Sequence, residues 1–322
     1  MESLIEVQGL SKRFGALTAV DNISFSAQRG DLLGFLGPNG AGKSTTMKMI
    51  TGFLTPSEGH AVVCGHDVSR QAMKAKAAMG YLPEGAPAYG DMTPLQFLTF
   101  CAKTRGITGL EAKKAIDRVI ELVQLNEVLN RPVETLSKGY KRRVGIAQAI
   151  LHDPPVLILD EPTDGLDPNQ KHEVRALIAE MAKNKAIIIS THILEEVDAL
   201  CNRAIIIAQG QLLYDGAPAS LEVMSRWHQA VTIRVANQDV AKVNATFAGA
   251  DYVKTVETIA EEEQRTTLTL FPEGTSAILT PVLAELRDRK IEVDEIIVEK
   301  GRLDEVFRRL TLNYEMNRST EK

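Results

Sequence analysis

Short apolar runs divide the chain before any motif is considered. Leu32-Leu33-Gly34-Phe35-Leu36, Met79-Gly80-Tyr81-Leu82, Val156-Leu157-Ile158-Leu159, Ala186–Ile189 and Ala204–Ala208 are almost continuously apolar. Strands of a parallel sheet, buried on both faces, have this pattern. Between them apolar residues recur at helical spacing, as at Met47, Ile50 and Leu54, at Leu95, Leu98 and Cys101 or Ala102, and at Ile116, Val119, Ile120 and Val123. A run over 172–182 is also helical. Strand and helix patterns in alternation predict an α/β fold.

Two regions depart from that alternation. Leu4–Val7, Asn22–Ala27 and His60–Cys64 read as strands, and the first two predict an antiparallel sheet beside the main one. From Thr93 to about Leu151 there is no strand pattern. Thr93 is placed to cap a helix with Pro94 at its first position, so 93–151 is expected as a helical insertion. After Gly210 a hairpin leads to Gln211–Tyr214, and the pattern relaxes over 216–226. Strands at Val231–Val235, Thr266–Leu270 and Ile296–Val298, with helices at Ser276–Lys290 and Leu303–Leu310, then make a small C-terminal α+β unit. The domain expectation is 1–218, 222–312 and a fraying polar tail at 313–322.

Composition narrows this picture only a little. Of 322 residues, 44% are hydrophobic and 25% charged, with a formal net charge of −5. That is ordinary for a globular protein and gives no electrostatic case for nucleic acid. No apolar run approaches the roughly 20 residues that cross a bilayer. The acidic start, Met1 to Glu6, is unlike a signal peptide. Cys64, Cys101 and Cys201 are too scattered for a disulfide or zinc framework, which fits a cytosolic protein.

The candidate chemistry starts at Gly37-Pro38-Asn39-Gly40-Ala41-Gly42-Lys43-Ser44-Thr45, which matches G-x-x-x-x-G-K-[ST]. The glycines let backbone N–H groups converge on a phosphate, and the following helix turns its positive end to the same point. Lys43 reaches the β/γ-phosphates and Ser44 is placed to ligate Mg²⁺. Asp160 and Glu161 follow another apolar strand, and His192 a third. Ligands of open α/β sheets bind at the carboxyl ends of the strands, so all three reach the edge where the phosphate sits. Asp160 suits an Mg²⁺ carboxylate, Glu161 a group that orients or deprotonates water, and His192 a γ-phosphate contact. Phe14, between charged residues and Gly15, reads locally as either a surface aromatic or a base-stacking platform.

Taken in order, the P-loop, Leu136-Ser137-Lys138-Gly139-Tyr140, Val156–Glu161, Asp164-Gly165-Leu166-Asp167 and His192 resemble the ATP-binding subunit of an ABC transporter, over about residues 3–218. The resemblance implies a P-loop NTPase core with an antiparallel β subdomain and a helical subdomain. It implies that Phe14 stacks on adenine and that Ser137 and Gly139 belong to a signature contacting the ATP of a second subunit. Ser137 caps a helix whose start carries Lys138, Lys141, Arg142 and Arg143, and such a start is an anion site. The expected assembly is a head-to-tail homodimer with ATP sandwiched between copies. It would sit peripherally on the cytoplasmic face of a membrane, bound to separate permease subunits.

Two departures from the family pattern are similar to its exporter branch and argue against the importer alternative, while the single cassette and the lack of a long heptad run argue against the other alternative, a soluble relative acting on ribosomes or DNA. Lys138 and Tyr140 replace a glycine and the glutamine of the signature, and Glu84 stands where glutamine is usual. Glu84 can still ligate Mg²⁺, but it adds negative charge beside the phosphates. In the C-terminal unit, Trp227 and His228 read as structural and Glu261–Glu263 as a solvated loop.

Overall fold

The computed structural model describes residues 3–85 and 88–320, with side chains to residue 312; Ala86 and Pro87 of the Gly/Pro-rich loop lie outside the described residues. The chain divides into two compact units, 1–216 and 217–322.

The first unit runs β1 (Ser3–Phe14), β2 (Leu17–Gln28), β3 (Leu32–Leu36), α1 (Lys43–Ile50), β4 (Glu58–Val63), β5 (His66–Asp67), α2 (Ala72–Ala77), β6 (Met79–Leu82), α3 (Pro94–Thr104), α4 (Gly109–Leu122), α5 (Lys138–Ile150), β7 (Val156–Asp160), α6 (Pro168–Ala182), β8 (Ala186–Thr191), α7 (Leu194–Leu200), β9 (Arg203–Ala208) and β10 (Gln211–Gly216). Its main sheet has six strands in the order β10-β9-β3-β8-β7-β6. The five apolar runs form its parallel part, and β10 turns back antiparallel on β9. A four-stranded antiparallel sheet, β2-β1-β4-β5, lies beside it.

These strands form because their apolar residues leave water on both faces. Every residue of β3, β7 and β8 is buried. Leu33, Phe35, Ile158, Ile188 and Ile205 join Met47 and Ile50 of α1, and Ile5, Val20 and Ile23 of the antiparallel sheet, in one core. The first strand is longer than its apolar run Leu4–Val7. The reason is Gly9: it takes φ +58° where the β1–β2 register shifts between Val7 and Leu10, and the strand continues past this bulge to Phe14.

The helical region bears its expected start. Thr93 accepts a hydrogen bond from the Gln96 N–H, and the Gln96 side chain answers to the Thr93 N–H, a full capping box before Pro94. Leu98, Val119, Val144, Ala147 and Leu151 are fully buried. Helix α5 approaches β6 very closely: a Cβ added at Gly80 would lie 2.1 Å from the Ala149 carbonyl oxygen. Gln148 Nε2 also donates to the Tyr81 carbonyl at 2.7 Å. The helical region is thereby fastened to the strand that leads to Glu84.

The second unit contains α8 (Pro218–Val223), β11 (Val231–Ala236), α9 (Val240–Phe247), β12 (Val253–Glu261), β13 (Arg265–Pro272), α10 (Leu279–Asp288), β14 (Val293–Val298) and α11 (Leu303–Thr320). Its antiparallel sheet, β12-β13-β11-β14, buries Val231, Ile233, Leu268 and Leu270 against Val243, Phe247, Val282 and Leu286 of α9 and α10. Strand β12 is absent from the apolar pattern because it is an edge strand with mostly exposed side chains. Glu261 therefore closes a strand, and only Glu262 and Glu263 of the acidic run lie in the turn. Helix α11 continues through the polar segment expected to fray, to Thr320.

Candidate active site

Strand β3 ends at Leu36, and the next residues wrap the start of α1. Gly42 is the residue before the helix, at φ +106°, and α1 has no side-chain cap. Neighbouring backbone leaves no room for side chains here: an added Cβ would come within 2.3 Å of the Ile207 carbonyl at Gly37 and 2.5 Å of the Ala19 carbonyl at Gly42. Gly210 braces the loop from the β9–β10 turn, its N–H donating to the Ala41 carbonyl at 2.9 Å. Pro38, Asn39 and Gly40 are exposed, Gly37, Ala41 and Gly42 buried, and Ser44 and Thr45 half-buried. A fixed backbone cradle at an uncapped helix start is fitted to an anion such as a phosphate.

Lys43 is 7% exposed, and its Nζ donates to the carbonyls of Gly37 at 2.7 Å and Pro38 at 3.1 Å. Burial lowers its pKa, while Glu161, Asp160 and Glu84 oppose that shift. The lysine is thus a buried cation on which three carboxylates act electrostatically. The same acids bear on Tyr81, whose hydroxyl is pushed up to about 12 by burial first, then by Asp160 and Glu84.

Asp160 closes β7, is 2% exposed and accepts a short hydrogen bond from the Ser190 hydroxyl of β8. The Asp160 carboxylate at the end of β7 and the Ser44 hydroxyl at the start of α1 are oxygen donors of the kind Mg²⁺ takes. Glu84 is exposed just beyond β6. Glu161 takes φ +49°, a left-handed conformation unusual for a residue with a side chain and costing on the order of 1–3 kcal/mol. Its N–H donates to the Ser190 carbonyl at 3.0 Å, which turns the chain out of the strand. Glu161 Oε1 lies 3.0 Å from His192 Nδ1. The three strand ends therefore bring Lys43, Asp160, Glu161 and His192 to one edge of the sheet.

A network that the sequence did not suggest holds this edge. Glu196 on α7 is 2% exposed. It accepts hydrogen bonds from Thr163, from Thr191 at 2.9 Å and from Arg175 at 3.3 Å. Thr163 lies two residues after Glu161 and Thr191 precedes His192, so one buried carboxylate ties the two segments together through their threonine hydroxyls. Its only sequence signal is position, one turn past the end of β8, and nothing in the residue type separates it from a surface glutamate.

The signature residues form a second helix start. The Ser137 hydroxyl accepts from the Tyr140 N–H, as its N-cap position predicts. Ser137 is exposed, and Gly139 is buried where a Cβ would meet the Gln170 side chain at 2.4 Å. The expected cluster of positive charge is smaller than the sequence suggests. Lys141 is engaged with the Glu134 carbonyl at 2.9 Å, and Arg143 with Glu173 and the Val123 carbonyl. Arg142 is 5% exposed, and Lys138 alone of the four is exposed. Phe14 is 49% exposed at the tip of the β1–β2 hairpin, with Lys12 Nζ 5.3 Å from its ring centroid.

The family model described as ABC transporter matches residues 20–164. The chain is 33% identical over 310 residues to the linearmycin resistance ATP-binding protein LnrL of Bacillus subtilis, covering 96% of this chain and 98% of that protein. It is 36% identical over 221 residues to the Nod factor export ATP-binding protein I of Paraburkholderia xenovorans, covering 68% of this chain and 73% of that one. Among solved structures, an ATP-binding subunit of an ABC transporter matches with 30% identity and a TM-score of 0.64, over 69% of this chain and 92% of that chain. The chain belongs to the ABC transporter ATP-binding proteins, and its first unit is an ATP-binding, ATP-hydrolysing cassette with the P-loop NTPase fold.

Proposed function

We propose that the chain powers export through separate membrane permease subunits, as one half of a homodimer that closes on two ATP molecules. The similarity to resistance and export proteins supports the direction of transport. Among the described residues no helix is long and apolar enough to cross a membrane, so the pathway is assigned to the partner. The chain then sits on the cytoplasmic face of that membrane.

Each residue has a role in this reading. Phe14 stacks on adenine, and residues 37–45 enclose the phosphates, with Lys43 as the cation at the β/γ position. Ser44, Asp160 and Glu84 would hold Mg²⁺, which when bound supplies positive charge to the phosphate oxygens. Glu161 orients the attacking water and takes its proton, His192 contacts the γ-phosphate, and catalysis rests on positioning and charge. Ser137 and Gly139 contact the ATP of the second copy. A cavity of about 420 Å³ lies between Phe53, Tyr81 and Pro83 on one side and Phe97, Cys101 and Arg105 on the other. It joins the helical region to the strand before Glu84, and we assign it to the permease.

The observation that carries the hydrolytic assignment is the Glu161–His192 contact at 3.0 Å beside buried Asp160 and Lys43. Glu161→Gln is expected to keep ATP binding, lower turnover by about 10²–10⁴-fold and accumulate an ATP-bound dimer, read by phosphate release and by size in solution. Brisk hydrolysis by this variant overturns the assignment of the base.

A further inference from the structure

Glu196 has no place among the roles above, yet it is a buried acid with both carboxylate oxygens in use. It lies on α7 and is 2% exposed. Oε1 accepts from the Thr163 hydroxyl and from Arg175 Nη2 at 3.3 Å, and Lys171 Nζ is 3.9 Å away. Oε2 accepts from the Thr191 hydroxyl at 2.9 Å. One carboxylate thus joins α7 to the end of β8, to the segment after β7 and to α6. A buried carboxylate is costly unless it is paired and hydrogen-bonded, and this one is both.

The residues it joins flank the chemistry. Thr191 Oγ1 also accepts from the Ile193 N–H at 3.0 Å. A carboxylate only accepts, so the hydroxyl proton is directed to Glu196 and a lone pair to Ile193. The residues on both sides of His192 are therefore held by one hydroxyl anchored on Glu196. On the other strand, Glu161 takes φ +49°, a conformation that persists only where its surroundings over-determine it. Its N–H donates to the Ser190 carbonyl at 3.0 Å, and its carbonyl accepts from the Asp164 N–H at 3.2 Å. Thr163, inside that turn, is itself tied to Glu196. The 3.0 Å contact between Glu161 Oε1 and His192 Nδ1 thus spans two segments that share one anchor.

We propose that Glu196 is a positioning residue for ATP hydrolysis: by clamping Thr163 and Thr191 it keeps Glu161 in its left-handed turn and His192 in register with it. The inference rests on the hydrolytic reading above. In that reading Glu196 meets neither nucleotide nor water and acts through Glu161 and His192. The clamp needs two acceptor oxygens, which a carboxylate offers and an amide does not. With glutamine at this position a donor would face either Arg175 and Thr163 or Thr191, while the shape of the side chain is kept. Displacing reacting groups by about 1 Å costs on the order of a hundredfold in rate.

The clamp can be opened from either end. ATP turnover and melting are measured on the full-length chain for wild type, Glu196→Gln, Thr163→Val, Thr163→Ser and the double variant Thr163→Val/Glu196→Gln. Glu196→Gln is expected to lower kcat at least about tenfold with KM for ATP changed less than about twofold, the sign of an interaction that matters in the transition state. Thr163→Val is expected to show the same split. Thr163→Ser keeps the hydroxyl and is expected to turn over within about threefold of wild type. The double variant is expected to be no slower than the worse single variant, because both changes open one clamp. Unchanged kcat in Glu196→Gln, with only the melting lowered, makes Glu196 a stability residue and overturns the proposal. Equal losses in Thr163→Val and Thr163→Ser, or single-variant losses that multiply in the double variant, overturn it as well. Should Glu196→Gln not fold, the two Thr163 variants decide alone. Brisk turnover by Glu161→Gln in the same assay points instead to failure of the hydrolytic reading.

Discussion

Helices α1 and α5 both start in a glycine-bearing loop, and they are finished in opposite ways. Helix α1 has no side-chain cap, and its last preceding residue, Gly42, sits at φ +106°. Helix α5 has Ser137 as its cap, with the hydroxyl accepting from the Tyr140 N–H. The first helix leaves its N-terminal donors to an outside anion, whereas the second satisfies one of its own. The buried cations differ too. Lys43 donates to carbonyls of its own loop, whereas Arg142 has its Nη2 3.9 Å from Asp164 of another segment. In the proposed reading the first start binds by itself, and the second, with one donor capped, offers an exposed serine to a second molecule.

The largest effect expected from this contrast is at Lys43. Lys43→Ala removes the only buried cation of the α1 start and its charge-assisted bonds, each worth about 1.5–3 kcal/mol. ATP affinity is expected to fall by at least about a hundredfold, measured with a fluorescent nucleotide on the isolated chain. Near-normal affinity would show that the backbone cradle suffices alone, and the contrast with α5 would weaken.

Ser137 tests the other start with a smaller binding effect and a large catalytic one. Ser137→Ala loses the cap and is expected to cost about 1 kcal/mol of stability. Ser137→Asp keeps a capping oxygen but turns a negative charge toward the partner's phosphates. It is expected to melt close to wild type, bind ATP normally as a monomer and lose turnover by more than about tenfold. Full hydrolysis by Ser137→Asp breaks the model in which α5 completes the other copy's site.

How much of this was legible depended on how locally each feature is encoded. The five apolar runs are parallel strands because burial on both faces demands such runs. The P-loop, Thr93 and Ser137 were legible because cap and cradle residues act within a few positions of where they stand. Bulges and edges were not: Gly9 hid the length of β1, and the exposed side chains of β12 hid a strand. The buried polar groups were least visible. Glu196, Ser190 and Arg142 belong to the edge of the sheet through partners far along the chain, and only folding brings these together. Arg142 and Arg143 even misled, since a basic run reads as surface charge while one is buried and the other paired.

The smallest expected effect concerns the far end of α5. His152 follows the helix, with Nε2 3.0 Å from the Met79 carbonyl on β6 and 2.9 Å from Arg105 Nη1 on α3. Burial first, then Arg105, pushes its pKa down to about 4. A histidine in the unfolded chain titrates near 6.5, so between about pH 6.5 and 4 the unfolded state binds more protons than the folded one. Its contribution is thus complete above about pH 6.5 and is lost as pH falls through that window. Melting temperature should therefore drop more steeply between pH 7 and pH 5 for wild type than for His152→Gln. Equal slopes would mean that the imidazole titrates freely. The junction of α5 with β6 would then not be protonation-sensitive, and the two helix starts would differ in their caps and cations but not in how firmly pH lets them be held.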